Sequence, residues 1–424
     1  MTGGGFWKRL AGSRHRYVAV TTLVSLIAFG RNLLFMRTLP LAEIGQVVMM
    51  QTLIMLVGFL PFGLINGAYM QYASQDPATN RRLVPVMAGL LGLLGLSVMG
   101  LGGLVLAGGG PPGDLVSAPA LGFGLAAGVA TLVAGWLNNT LIADRRLGLA
   151  NAVGIGAVLV SLAVAALSRG YGLQAALLSL LLQPLAAWVA ILILVPALRP
   201  VTLIPLVRAE DRALVVRVLK LGLMPFLAGL AVLLMYQVER WVIALVLGPE
   251  ALGQFYLVLM YSTFFALVPA ALLNVYFPPA RAAHGTGDLA RMGKMMRSHA
   301  RDLMIYFGLA ILVTALLMQP VVDRVFPETA DQTHLVYLAL PGLMLFTLRD
   351  LASLVVYSTG KMHCILISGA MTLGAFALLL GGLSIAGAIG LENILIVRAA
   401  AIVPGTAYLL YERHRQWTEA GRKA

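Results

Sequence analysis

Apolar residues in this chain come as long unbroken runs, not in alternation, and short polar stretches separate them. A helix needs roughly 20 mostly apolar residues to cross a hydrocarbon core about 30 Å thick. On that measure the runs predict twelve membrane-spanning helices, at 17–39, 45–70, 84–107, 118–142, 150–168, 173–198, 218–247, 251–277, 302–320, 334–357, 363–382 and 386–411. Lipid offers the backbone no hydrogen-bond partners, so the spans must be helices or a closed barrel. A barrel would show alternating segments of about ten residues, which these runs are not. The expected fold is an all-α polytopic membrane protein.

The pattern repeats. Arg31 stands nine positions before Pro40, which opens the string PLAEIGQ (Pro40–Gln46), and Arg240 stands nine positions before Pro249, which opens PEALGQ (Pro249–Gln254). Each copy joins one span to a second, long one, and both turns fall on the same side of the membrane if every run crosses it. This is the parallel kind of repeat, with its axis along the membrane normal. It divides the chain into an N-lobe of six spans (1–200), a basic linker (201–218) and a C-lobe of six spans (219–424). The linker region, from Arg199 to Lys220, mixes charged and aliphatic residues at helical spacing, as in a short helix lying on the membrane face.

Composition agrees with this layout. The 424 residues are 60% apolar and 11% charged, against about 25% charged in a soluble domain. The net charge of +13 could suit a nucleic-acid binder, but the placement of the basic residues argues otherwise. They cluster in alternate loops, among them Lys8, Arg9, Arg81, Arg82, Arg291, Lys294, Arg297 and Arg413. The loops on the other side hold only Arg169 and Arg324. Such asymmetry puts the basic loops and both termini in the cytoplasm, and it attracts anionic lipid of the inner leaflet. No nucleic-acid partner is expected.

No loop is long enough for a soluble domain, and no metalloprotease, nucleotide-binding or serine-hydrolase motif occurs. The six histidines lack metal-ligand spacing, so no metal, no cofactor and no catalytic residue is expected. What remains is charge inside the spans. Arg31 and Arg240 occupy matching places in the repeat. Arg349 and Asp350 lie in the tenth span, and Glu239 precedes Arg240. Glu392 is near the outer end of the last span, and Arg398 is about 18 Å into it at 1.5 Å per residue. Four arginines facing lipid would cost roughly 10–14 kcal/mol. A wet cationic cavity between the lobes, lined by Arg31, Arg240, Arg349 and Arg398, is the economical expectation. Glu239, Asp350 and Glu392 are the candidates for coupling an ion.

The run from Arg31 through Arg37-Thr-Leu-Pro-Leu-Ala-Glu-Ile-Gly45, with its second copy at Pro249–Gly253, resembles the polysaccharide-repeat flippases. These are the O-antigen and exopolysaccharide translocases of the multidrug/oligosaccharidyl-lipid/polysaccharide exporter superfamily. The resemblance implies a MATE-like fold of two six-helix lobes in the bacterial inner membrane. It also implies a substrate, an undecaprenyl-pyrophosphate-linked oligosaccharide moved from the cytoplasmic to the periplasmic leaflet by alternating access. Further implications are H+ or Na+ as the coupling ion, and a polysaccharide polymerase and a chain-length regulator as partners. Two other readings stay open: a small-molecule or drug exporter of the same superfamily, and a membrane polysaccharide polymerase.

Overall fold

A computed structural model describes residues 13–72, 77–109, 116–144, 146–198, 209–359 and 361–423. Lys8 and Arg9 lie outside the described residues, as do residues 201–208 of the expected linker. The described residues form helices joined by short turns, with no strand. In order these are α1 (Ser13–Thr38), α2 (Leu41–Phe59), α3 (Leu64–Tyr72), α4 (Pro77–Ala107), α5 (Ala118–Ala143), α6 (Leu147–Ala165) and α7 (Ser168–Leu194). There follow α8 (Ala209–Val242), α9 (Pro249–Gly285), α10 (Leu289–Val325), α11 (Thr333–Thr359), α12 (Met362–Ile385) and α13 (Leu391–Lys423). Ten of the helical stretches are long and apolar enough to cross a membrane.

The chain divides into two compact units, Met1–Phe226 and Leu227–Ala424. The division falls inside α8, next to Pro225. The described part of the expected linker, from Ala209 onward, is not a separate surface helix but the opening turns of α8.

The surface of the spans is that of a protein dissolved in lipid. On α4, Leu93, Leu96, Leu101 and Leu104 are all exposed, and on α10 so are Ile305, Leu309, Leu312 and Leu316. Patches of this extent are rare on soluble monomers. Small residues bring the helices together: Ser368 on α12 donates a 2.8 Å hydrogen bond to the Gly405 carbonyl of α13.

The expected span at 45–70 is two helices rather than one. Pro61 has no amide hydrogen to continue α2, Phe62 and Gly63 take positive φ, and α3 restarts at Leu64. The break lets α3 lie directly on α8. A Cβ at Gly63, Gly67 or Gly222 would collide with backbone atoms of the other helix. Leu64, Ala68, Val218 and Trp136 pack in the core that surrounds this crossing. Gly67→Val or Gly222→Val is therefore expected to destabilise the first unit by at least about 1–3 kcal/mol through overpacking, read as a lowered Tm in detergent. Gly58→Ala, where an added Cβ meets nothing, should leave Tm unchanged.

The two repeat junctions are built alike. Pro40 precedes α2, whose first turn carries Glu43. Pro249 opens α9, whose first turn carries Glu250. Proline suits a helix start because it lacks only an amide hydrogen that would go unbonded there, and the acids complement the positive end of the helix dipole.

Candidate functional site

In the first unit Arg31 is buried on α1 and reaches two neighbouring helices. Its Nη1 donates to Ser161 Oγ on α6 at 2.7 Å and to Gln183 Oε1 on α7 at 2.5 Å. Ser161 Oγ in turn donates to the Ser179 carbonyl at 2.7 Å. The Phe35 ring lies 5.9 Å from the guanidinium carbon. One cation thus ties three helices through neutral acceptors. A cavity of about 280 Å³ in this unit is lined by Asn138, Asn151 and mostly apolar groups, with no charged residue.

The second unit gathers its charges differently. Glu239 and Arg240 lie on the last turns of α8. The helix ends three residues later in a π turn, Ile243–Leu247, a rare conformation often found at functional sites. Arg398 comes from α13, and its Nη1 donates to both oxygens of Glu239, at 3.2 and 3.3 Å. Both side chains are almost wholly buried. Arg398, with Glu239 behind it, lines a cavity of about 220 Å³ together with Arg240, Tyr236, Ser262, Thr263, Phe346 and Thr347. Among the described residues, no hydrogen-bond partner is present for Arg398 Nη2 or Arg240 Nε. A buried guanidinium nitrogen without a partner is costly.

The serine and threonine hydroxyls of the lining are engaged locally. Ser262, Thr263 and Thr347 each donate to a carbonyl four residues back on their own helix, so the two guanidinium groups supply the donors. Two cations and one carboxylate leave the cavity formally at +1. The volume admits several waters or a small oxyanion, but not an oligosaccharide.

Within the second unit the structure brings together three of the expected residues, Glu239, Arg240 and Arg398, while Arg349 and Glu392 do not line the cavity. Arg349 is buried on α11 against Phe346, with 5.9 Å from its guanidinium carbon to the ring centroid, and it reaches the Ile365 carbonyl at 3.5 Å. Phe346 lines the cavity and Arg349 does not. The Asp350 side chain lies outside the described residues. Glu392 is exposed on the first turn of α13, 3.0 Å from His334 Nε2. Arg398 also lies nearer the start of its helix than the expected distance of about 18 Å. The turn at Gly387, with φ of 65°, delays α13 to Leu391, so Arg398 lies seven residues, about 10 Å, from its start. Ser161 and Gln183 as partners of Arg31, and Tyr236, Ser262, Thr263 and Thr347 as cavity walls, do not follow from the sequence. Their one visible signal is that each is a polar or hydroxyl-bearing group inside an apolar run.

No protein-family model matches the chain, and no curated protein matches it in sequence. Several solved structures match it over nearly its whole length. An inward-facing multidrug resistance MATE family transporter of the MOP superfamily superposes with a TM-score of 0.69 at 14% identity, covering 95% of this chain and 96% of that one. The lipid II flippase MurJ, in an inward closed conformation, gives 0.66 at 12% identity over 93% and 87%. A MOP superfamily transporter from Pyrococcus furiosus, described as having a binding pocket of reversed polarity, gives 0.62 at 15% identity over 96% and 94%. At these identities the likeness is one of fold: this is an all-helical, polytopic, MATE-like membrane protein.

Proposed function

We propose that the protein moves an undecaprenyl-pyrophosphate-linked oligosaccharide from the cytoplasmic to the periplasmic leaflet of a bacterial inner membrane by alternating access. The observation that carries this reading is the cavity of the second unit, where Arg240 and Arg398 meet with guanidinium nitrogens left unbonded. A pyrophosphate headgroup cannot enter hydrocarbon without losing its water. Guanidinium groups replace that water with directed, charge-assisted hydrogen bonds, and their planar fork matches phosphate oxygens. In this reading the pyrophosphate binds at the cavity, the sugars remain in a wetter part of the path, and the lipid tail stays in the bilayer.

The four arginines expected to line a path divide into two roles. Arg240 and Arg398 face the substrate, while Arg31 and Arg349 hold helices in place. Of the three acids expected to couple an ion, Glu239 belongs to the site. Its carboxylate is an internal substitute for the phosphate, holding Arg398 until it is protonated or displaced. Proton entry at Glu239 frees the guanidinium for substrate, which links substrate binding to a proton gradient; coupling by Na+ instead would leave transport indifferent to the pH difference.

The comparison structures include MATE transporters as well as a flippase, so the fold supports export of a small molecule equally well. The charge of the cavity favours the anionic cargo, since a cation would meet two arginines and an acid already engaged. The assay is reconstitution into vesicles holding a lipid-linked oligosaccharide in one leaflet, with its arrival in the other followed over time. Protein-dependent transfer that quickens under an inward proton gradient is the expected result. Failure to move any lipid-linked oligosaccharide under either ion gradient, together with efflux of cationic dyes, would replace this reading with that of a drug exporter.

A further inference from the structure

A second cationic cavity lies far from the first. It measures about 400 Å³ and sits between α10 and α13, lined by Gly293, Met296, Arg297, Leu410, Arg413 and His414. Along α13, Arg413 is fifteen residues, about 22 Å, beyond Arg398. It is 22 residues, about 33 Å, from the start of the helix at Leu391, close to one hydrocarbon thickness. On α10, Arg297 precedes the apolar stretch that begins at Leu303. Both arginines therefore lie at headgroup depth on one face, the face that the loop charges assign to the cytoplasm.

Neighbouring acids do not neutralise this cavity. Glu412, on α13, is 3.1 Å from Arg415. Asp302, on α10, is engaged by Arg301 at 3.0 Å and accepts a 2.6 Å hydrogen bond from Tyr276. Among the described residues, neither Arg297 nor Arg413 enters an ion pair. The roof of the cavity is thus basic, and Met296 and Leu410 give it an apolar floor. On the following turns of α10, Met304, Ile305, Leu309 and Leu312 are exposed, an apolar track along the helix.

We infer that this cavity seats the phosphodiester of an anionic phospholipid from the leaflet at that face, with an acyl chain lying along the α10 track. A basic notch between spans at the cytoplasmic surface has the chemistry that holds such headgroups. The apolar floor and track favour a lipid over a free phosphate, which would have no use for them.

The test is native mass spectrometry of the full-length protein in detergent, with phosphatidylglycerol and phosphatidylcholine offered together. Wild type should retain phosphatidylglycerol in preference by about tenfold or more, two arginines each contributing near the surface. The double variant Arg297→Ala/Arg413→Ala should lose the preference, and Arg297→Lys/Arg413→Lys should keep most of it. Equal retention of both lipids by wild type overturns the inference, and that arm needs no variant to fold. An unchanged preference in a monodisperse alanine variant overturns it too. So does displacement of phosphatidylglycerol by millimolar inorganic phosphate, which would mark the cavity as a site for a free anion. Because no oligosaccharide lipid is present, the outcome does not depend on the transport reading.

Discussion

Replacing Arg240 with methionine is expected to slow transfer of a lipid-linked oligosaccharide by at least about tenfold, and by as much as about a hundredfold, while Tm stays level or rises. The two effects have one cause. Arg240 projects into the cavity and its Nε lacks a hydrogen-bond partner among the described residues, so in the empty protein it carries a desolvation cost with little return. Methionine keeps the volume and removes that cost, much as buried ion pairs can be replaced by apolar groups without loss. With a pyrophosphate bound, the same guanidinium would supply charge-assisted hydrogen bonds of about 1.5–3 kcal/mol, and their loss sets the expected fall in rate. A structural role for Arg240 would show the reverse: a lowered Tm with transport falling only as far as the amount of folded protein.

The second large effect concerns the pair itself. Arg398→Met leaves Glu239 buried without its partner, and Glu239→Gln does the same to Arg398. Removing one member of a buried pair costs about 3–5 kcal/mol, which should appear as a clear drop in Tm for either single variant. The double variant Glu239→Gln/Arg398→Met removes both charges and should recover most of that stability, because glutamine and methionine fill nearly the same space. Transport should not recover with it, since the guanidinium meant for the substrate is gone. Thermal melts alongside vesicle transfer separate the two consequences. A double variant as unstable as the singles would show that the pair is held by more than its charges, and one that transports normally would remove Arg398 from the substrate's path.

The spans were legible in the sequence because lipid imposes a length and a composition on any crossing helix: every predicted run overlaps an observed helix, although ten of the described helical stretches, not twelve, are long and apolar enough to cross a membrane. The junctions at Pro40 and Pro249 were legible for a similar reason, as proline and an acid mark a helix start locally. Contacts between distant residues were not. Pro61 signals a break, but nothing local says that Gly63 and Gly67 will press against Gly222, about 155 positions onward. The pairing of Glu239 with Arg398 spans 159 positions, and sign complementarity alone would have allowed Glu239 to pair with its neighbour Arg240. The distance of Arg398 from its helix start was overestimated because the residues before Leu391 read as one more apolar turn, whereas the chain turns at Gly387 with positive φ and α13 begins only at Leu391. The contacts of Arg31 were hidden for the same kind of reason: Ser161 and Gln183 are single polar residues in apolar runs, visible as such, but with no local sign that they converge on one guanidinium.

The proposed function requires recognition of an anion by the cavity of the second unit, and affinity tests that more directly than flux. The measurement is equilibrium binding of a polyprenyl pyrophosphate and of the corresponding uncharged polyprenol to detergent-solubilised wild type and to Arg240→Met. The expected result is at least about tenfold tighter binding of the pyrophosphate by wild type, an advantage that largely disappears in the variant while polyprenol binding stays the same. Equal affinity of wild type for the two lipids, or an undiminished preference in Arg240→Met, would contradict it.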